Sequence, residues 1–369
     1  MYSLLARFSA SRRVKKVSRA AQAKVIFLDE IRTYVVEWVD AIGLLISHGH
    51  RLYAVARLQR PTEEDLLFSL PFSALRAAFV SWRPTQRLTR SIFYNVYRLP
   101  DGAVFFTFGR QMGIWRAGEI TWISGALRPM RCLRGSIAME PNGTLYLGEY
   151  DRNRERRSVR IYCLPAGSTT MEVAHEFGAG AVRHVHGLYR QPNTHHIWCT
   201  TGDIGQECRI LVTEDRFKTL HTIGMGDESW RAVSLSFLGS TIVYGTDAEF
   251  VSNHIYALDT KNADRRCLSE VDGPVYYSSP LGPHLLFSVT AEGCPGQPLN
   301  QASLWMVTEN LDVSRIVSYR KDAWPRPFMF GTIHFSLGPG ESRQPQAYAF
   351  LHGLAARDGH SMSVTVERA

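Results

Sequence analysis

Four carboxylates in this 369-residue chain end hydrophobic runs in the same way: Glu149 in TLYLGEY, Asp203 in HIWCTTGD, Asp247 in TIVYGTDA and Glu292 in LLFSVTAE. Arg110 ends an earlier run, AVFFTFGR. A turn after a strand accepts Asn, Ser or Gly as readily as an acid, so four acids in register point to a shared task. Any one of them alone reads as an ordinary Asx turn. The segments leading into the neighbouring runs supply complementary groups. These are Arg134 in RPMRCLRGS, Arg183 with His184 and His186 in AVRHVHG, Trp230 and Arg231 in ESWRAVS, and Tyr277 beside Tyr276 in GPVYYSS. Tyr150 directly follows Glu149.

These residue types suit a polyhydroxylated, acidic ligand. Arginine forks such as Arg110, Arg134 and Arg183 bind carboxylate or sulfate bidentately. Asp247 and Glu292 accept sugar hydroxyls, and Trp230 or Tyr277 can stack on a pyranose face. Glycoside hydrolysis needs two carboxyls, one of them kept protonated, for which Glu149 as acid and Asp203 as base or nucleophile are the candidates. A lyase would instead ask His184, Tyr150 or Tyr277 to move a proton while Arg231 or a metal neutralises the substrate carboxylate. Strand alternation puts His184 and His186 on one face. Paired imidazoles there could hold a divalent metal with a carboxylate. They could equally act as general base and electrostatic partner, or simply be satisfied by neighbouring structure. No cofactor is required by any motif, and a divalent metal is the one these residues could hold.

The elements that must position them repeat. Each unit has a short strand ending in a Pro, Gly or Asn turn, then one of the hydrophobic runs above, then a third strand opening on an aliphatic and a bulky residue. Those openings are Ile114-Trp115, Ile161-Tyr162, Ile210-Leu211, Ile255-Tyr256 and Leu304-Trp305, spaced by 47, 49, 45 and 49 residues. Such a period, with turn residues throughout, predicts an all-β propeller of four-stranded blades. Six units from 93 to 368, with TIHFSLGP (332–339) as the second strand of the last, make a six-bladed ring the first expectation. The strand-rich segment 25–60 either completes the last blade or makes a seventh. The chain then divides into a basic extension (1–24), a strand-rich lead-in with a partly helical connection (25–92) and the blades (93–369). In this topology the ends of second strands and the approaches to first strands meet at one axial mouth.

The turns after the third strands carry a further pattern: TEDRFKTL (213–220) keeps Thr213, Asp215 and Thr219, CLPAGSTT (163–170) keeps Gly167 and Thr169, and TENLDVSR (308–315) keeps Asn310 and Ser314. In outline and in phase this resembles the Asp-box, Ser-x-Asp-x-Gly-x-Thr-Trp, of sialidases and other BNR-repeat propellers. The resemblance covers roughly residues 93–368. It implies a sialidase-like propeller fold without implying any one member's activity.

Net charge is +8, and seven of those charges are Arg7, Arg12, Arg13, Lys15, Lys16, Arg19 and Lys24, in a segment with no acid. The rest of the chain is nearly neutral, which removes the basic surface that nucleic-acid binding requires. Leu4, Leu5, Phe8, Val14 and Val17 among those bases allow a basic amphipathic helix on an anionic membrane, the alternative being a solvated leader. Six cysteines without a CxxC pair fit no zinc ribbon or redox motif and predict a reduced, cytoplasmic protein, peripheral at the inner membrane surface if the leader docks there. Phosphate loops, GxSxG elbows and HExxH are absent from the sequence. The expected function is therefore a carbohydrate-active propeller, glycosidase-like or polysaccharide-lyase-like, acting on an acidic glycan. Its rival is a non-catalytic glycan- or protein-binding propeller associated with polysaccharide synthesis or export.

Overall fold

The computed structural model describes residues 25–295, 297, 300–339 and 345–367. The basic extension and its membrane contact lie outside these residues. The described residues form seven four-stranded sheets. First strands of neighbouring sheets pack on one another, so they line the axis of a ring. We number the blades by these first strands: Val35–Val39, Phe93–Arg98, Ala138–Met139, Val185–Arg190, Ala232–Leu238, Val275–Leu281 and Thr332–Phe335 for blades 1 to 7.

Second strands explain why the hydrophobic runs are continuous rather than alternating. Val104–Phe108 and Ile197–Thr201 are buried at every residue, because each blade is covered on both faces by its neighbours. Phe105 and Phe106 are fully buried, each contributing about 1.5–3 kcal/mol of hydrophobic stabilisation. Outer strands such as Glu119–Trp122 face solvent and read as mixed.

The ring has seven blades rather than six. Segment 25–69 does both things the sequence offers it: Val35–Val39 to Leu66–Ser69 build blade 1, and Val25–Arg32 pairs with His360–Val366 as the outer strand of blade 7. TIHF (332–335) is the first strand of blade 7, not a second strand. The ring is also sealed near the axis, where Val39 N–H donates to Leu337 O (2.8 Å) and Leu337 N–H to Glu37 O (2.8 Å).

The helical connection between blades 1 and 2 comprises α1, Ala74–Ser81, and α2, Arg83–Thr89. The second helix docks on blades 6 and 7 rather than on its own neighbours. Arg83 pairs with Asp358 at 2.6 Å, and the buried Arg87 pairs with Asp322 at 2.5 Å and donates from Nε to Phe328 O at 2.8 Å. No helix among the described residues is long and apolar enough to cross a membrane.

Candidate functional site

Strand alternation alone does not build the site. Five first strands start with a pairing irregularity against their second strand, between Val36 and Trp38, Phe93 and Asn95, Val185 and Gly187, Ala232 and Leu235, and Val275 and Tyr277. A bulge leaves one residue outside the ladder and re-aims its side chain. Those residues include Glu37, Tyr94, His186 and Tyr276. The same backbone device therefore delivers polar side chains to the axial region from four blades.

Close packing fixes the histidine strand. Val185, between the two histidines, sits against Gly148 at the end of the second strand of blade 3, where an added Cβ would lie 2.3 Å from Val185 Cγ1. Only glycine lets the next blade approach so closely. Gly245 does the same for Val275 one blade pair later, at 2.5 Å. Val185 N–H also donates to Glu149 O at 2.9 Å.

The result is a compact triad. His184 Nε2 and His186 Nε2 lie 3.0 Å apart, and Asp203 Oδ1 is 3.1 Å from the first and 3.3 Å from the second. Both Nδ1 atoms face carbonyl oxygens at 3.0 Å, Asp151 O for His184 and Ala232 O for His186. A carbonyl only accepts, so each Nδ1 carries a hydrogen, and in the tautomer with that one hydrogen each ring turns a bare Nε2 lone pair inward. Burial pushes His186 down to about 4, so its ring is neutral at physiological pH. Arg183 lies 2.9 Å from Asp203 Oδ2, a cation beside the carboxylate on the side away from the two rings.

Three such atoms at hydrogen-bond distance can share either a proton or a cation between them. The three ligand atoms lie within 4.8 Å of one another, and two imidazoles with one carboxylate suit a first-row divalent cation. Imidazoles anchored through the opposite nitrogen on backbone carbonyls are the usual support for metal ligation.

Around the triad runs a charged and aromatic layer. Arg231 bridges Asp203 (3.5 Å) and the buried Asp247 (3.0 Å). Burial raises the Asp247 carboxyl well above its ordinary value; Arg231 opposes this, and the charges of Glu292 and Asp203 reinforce it. Tyr276 shares a hydrogen bond with Glu292. The Tyr150 ring packs 4.5 Å from His184, and burial, then Asp247 and Asp203, raises its phenol.

Other expected site residues are placed elsewhere. Glu149 is buried inside blade 3, where it holds Arg128, Tyr162 Oη (3.0 Å) and Arg160 N–H (3.0 Å), so the expected pairing of Glu149 with Asp203 is not assembled. Its position immediately after Gly148 turns it back onto the third strand. Arg134 is buried on Glu37 (2.5 Å), Phe335 O (2.8 Å) and Val36 O (3.2 Å), tying blades 1, 3 and 7 together rather than awaiting a ligand. Trp230 packs on Gly224 and lies under the Arg265 guanidinium at 3.8 Å, which covers the face a sugar would need. Arg110 stays exposed at the rim, 3.7 Å from Asp151. Tyr277 packs on His334 at 4.7 Å. Arg183, Tyr150, Arg231 and Asp247 do join the triad. Sequence reasoning passed over Arg90 and Tyr94; Arg131 lies with Arg128 and Arg134 in RPMRCLRGS, the approach segment already expected at the mouth.

No family model matches the chain, and no curated protein matches it. Solved structures do. The chain is similar to one in the crystal structure of a mitotic checkpoint complex, at 11% identity and TM-score 0.55, covering 100% of this chain and 99% of that one. It is also similar to an oligogalacturonate lyase in complex with manganese, at 12% identity and TM-score 0.48 over 74% and 76% of the two chains. A chain of a nidogen/laminin complex matches at 12% identity and TM-score 0.47 over 80% and 95%. The likeness is one of fold. Proteins with such different roles share it, so activity has to be argued from the site.

Proposed function

We propose that the axial mouth is a metal-assisted site for an acidic carbohydrate, and that β-elimination is the chemistry it suits best. The observation that carries this is the convergence of His184 Nε2, His186 Nε2 and Asp203 Oδ1, with both Nδ1 atoms committed to carbonyls. A divalent cation held there would neutralise a substrate carboxylate and so acidify the carbon beside it. The rest falls to the chain's own residues. Tyr150, packed on His184, is placed to receive the proton from that carbon once cationic charge offsets the burial, and the charges of Asp247 and Asp203, that now raise its phenol. Asp247, whose carboxyl burial makes a weaker acid than usual, is the group to give a proton to the departing glycosidic oxygen as the new double bond forms. Arg231 holds Asp203 and Asp247 in fixed relation.

Hydrolysis is the second reading, and one observation favours it. Asp247 and Glu292 come from successive blades and feel each other's charge, with Asp247 raised. Two carboxyls in unequal environments are what a glycosidase needs. Kinship with BNR propellers belongs to the same proposal, supported by the turn in which Asp215 accepts from Thr219 N–H and Thr219 Oγ1, both at 2.8 Å.

The test is incubation of the full chain with a panel of polyuronates and neutral polysaccharides, with added divalent metal or with chelator. Metal-dependent ultraviolet absorbance of unsaturated uronate supports elimination. Reducing ends without that absorbance support hydrolysis, and binding without product leaves the non-catalytic glycan-binding role.

A further inference from the structure

Arginines around this end of the ring are paired with acids as a rule. Arg83, Arg87, Arg128, Arg183 and Arg231 hold Asp358, Asp322, Glu149, Asp203 and Asp247 respectively. Two partly buried ones have no acceptor of any kind. Among the described residues, the Arg90 and Arg131 guanidinium groups make no hydrogen bond and no ion pair, and Arg131 Nε is buried without a partner. Leaving a partly buried guanidinium unpaired is unfavourable, and a site that does so twice is arranged for an anion it does not itself supply.

Both residues adjoin the mouth. Arg131 exchanges backbone hydrogen bonds with Tyr150, N–H to O in each direction at 3.3 Å, and the Tyr150 ring lies on His184. Arg90 closes α2 in the left-handed conformation (φ 55°), which turns the chain out of the helix. Its guanidinium lies 5.7 Å from the Phe330 ring, and Phe330 is edge-on to Tyr276 at 6.1 Å. Tyr94, the bulged residue of blade 2, feels the charge of both arginines, and Tyr150 and Tyr277 that of Arg90. Tyr94, Tyr150 and Tyr277 are each only half-buried, so solvent reaches the space they border.

We infer that Arg90 and Arg131 form an oxyanion fork, binding a carboxylate or sulfate group of the ligand at the same mouth as the His184–His186–Asp203 triad. The inference rests on reading the mouth as a ligand site, but not on the metal. Planar guanidinium groups recognise planar or tetrahedral oxyanions through paired N–H donors, whereas a neutral sugar gives them nothing to neutralise. The docking of α2 through Arg83 and Arg87 then has a purpose at the site, since it fixes the helix end that carries Arg90 beside Phe330.

The experiment is a binding titration of the full chain with sodium glucuronate, glucose and inorganic sulfate, each in chelator and in added Mn2+. The fork predicts that glucuronate binds more tightly than glucose in both conditions. It also predicts that Arg90→Gln and Arg131→Gln each weaken glucuronate binding about tenfold or more. Mn2+ affinity should stay unchanged, thermal unfolding should occur at the same or a higher temperature, and Arg131→Lys should recover only part of the loss. Sulfate competing with glucuronate identifies the fork as a general oxyanion site, and no competition identifies it as carboxylate-selective; either outcome supports it. Arginine-dependent glucuronate binding in a protein that takes up no metal upholds the fork while removing the metal reading. Equal binding of glucose and glucuronate, or unchanged binding in both glutamine variants, overturns the inference.

Discussion

His184 and His186 turn their Nε2 atoms toward each other at 3.0 Å while both Nδ1 atoms donate to backbone carbonyls, Asp151 O and Ala232 O. Neither ring can flip to relieve the contact without leaving a buried carbonyl without its donor. The backbone thus fixes the direction of two lone pairs, and Asp203 supplies the third acceptor.

That geometry depends on Gly148. A Cβ there would meet Val185 at 2.3 Å, and Val185 can yield only by moving the strand that carries both histidines. Gly148→Ala should lower stability by about 1–3 kcal/mol, as overpacking does. It should also weaken metal binding, although residue 148 offers no ligand. Paired denaturant and metal titrations check this, and an unchanged metal affinity would show that the strand is not held by this contact.

Glu149→Gln separates the buried carboxylate from the chemistry. Its partners Arg128, Tyr162 and the Arg160 amide are structural, so the variant should lose stability, by about 3 kcal/mol for a broken buried pair, and keep its metal affinity and any product type. Urea unfolding and the polyuronate assay report the two effects independently. Loss of turnover at full metal loading would return Glu149 to the reaction.

Arg231 neutralises two acids at once, at 3.5 Å from Asp203 and 3.0 Å from Asp247. Arg231→Met should destabilise by about 3–5 kcal/mol, because two largely buried carboxyls lose their cation. Adding Asp247→Leu to that variant should recover much of the loss. A double-mutant cycle in urea measures the coupling, and strict additivity would contradict it.

Acid sensitivity should have a distinct source in blade 7. Burial, reinforced by Arg134 and Arg83, pushes His334 from 6.5 down to about 3. The unfolded chain therefore binds a proton that the folded chain refuses between those values, and stability falls as pH drops from about 6.5 toward 3. The contribution is lost at about 1.4 kcal/mol per pH unit for one proton. In His334→Asn the slope of unfolding free energy against pH should flatten by about one proton over that window, and an unchanged slope would remove His334 as the cause.

Much of the ring was legible because blade strands obey strong local rules. Buried second strands such as VFFTF and IWCTT stand out as apolar runs, and the Gly and Pro turns keep their phase. Blade 1 was harder to count because it shares segment 25–69 with the strand that closes blade 7, a pairing between residues more than 300 positions apart. The triad was legible in part: HVH and the acid after the run HIWCTTG pointed to one mouth, and they meet there. What periodicity cannot show is a bulge, and the bulge at His186 is what aims its ring. Nor can it show which charges are already paired. Arg134 and Arg90 look alike in sequence, yet Glu37 waits for one and no acid for the other.

Metal binding by the unmodified full chain decides whether the three acceptors are a metal site. Titration with Mn2+ and Zn2+, followed by calorimetry and, for Mn2+, by electron paramagnetic resonance, should show one site per chain. That site should be abolished in His186→Ala and in Asp203→Ala, and retained in Glu149→Gln. No saturable binding of either ion by the wild-type chain, or equal binding by the His186 and Asp203 variants, would contradict it.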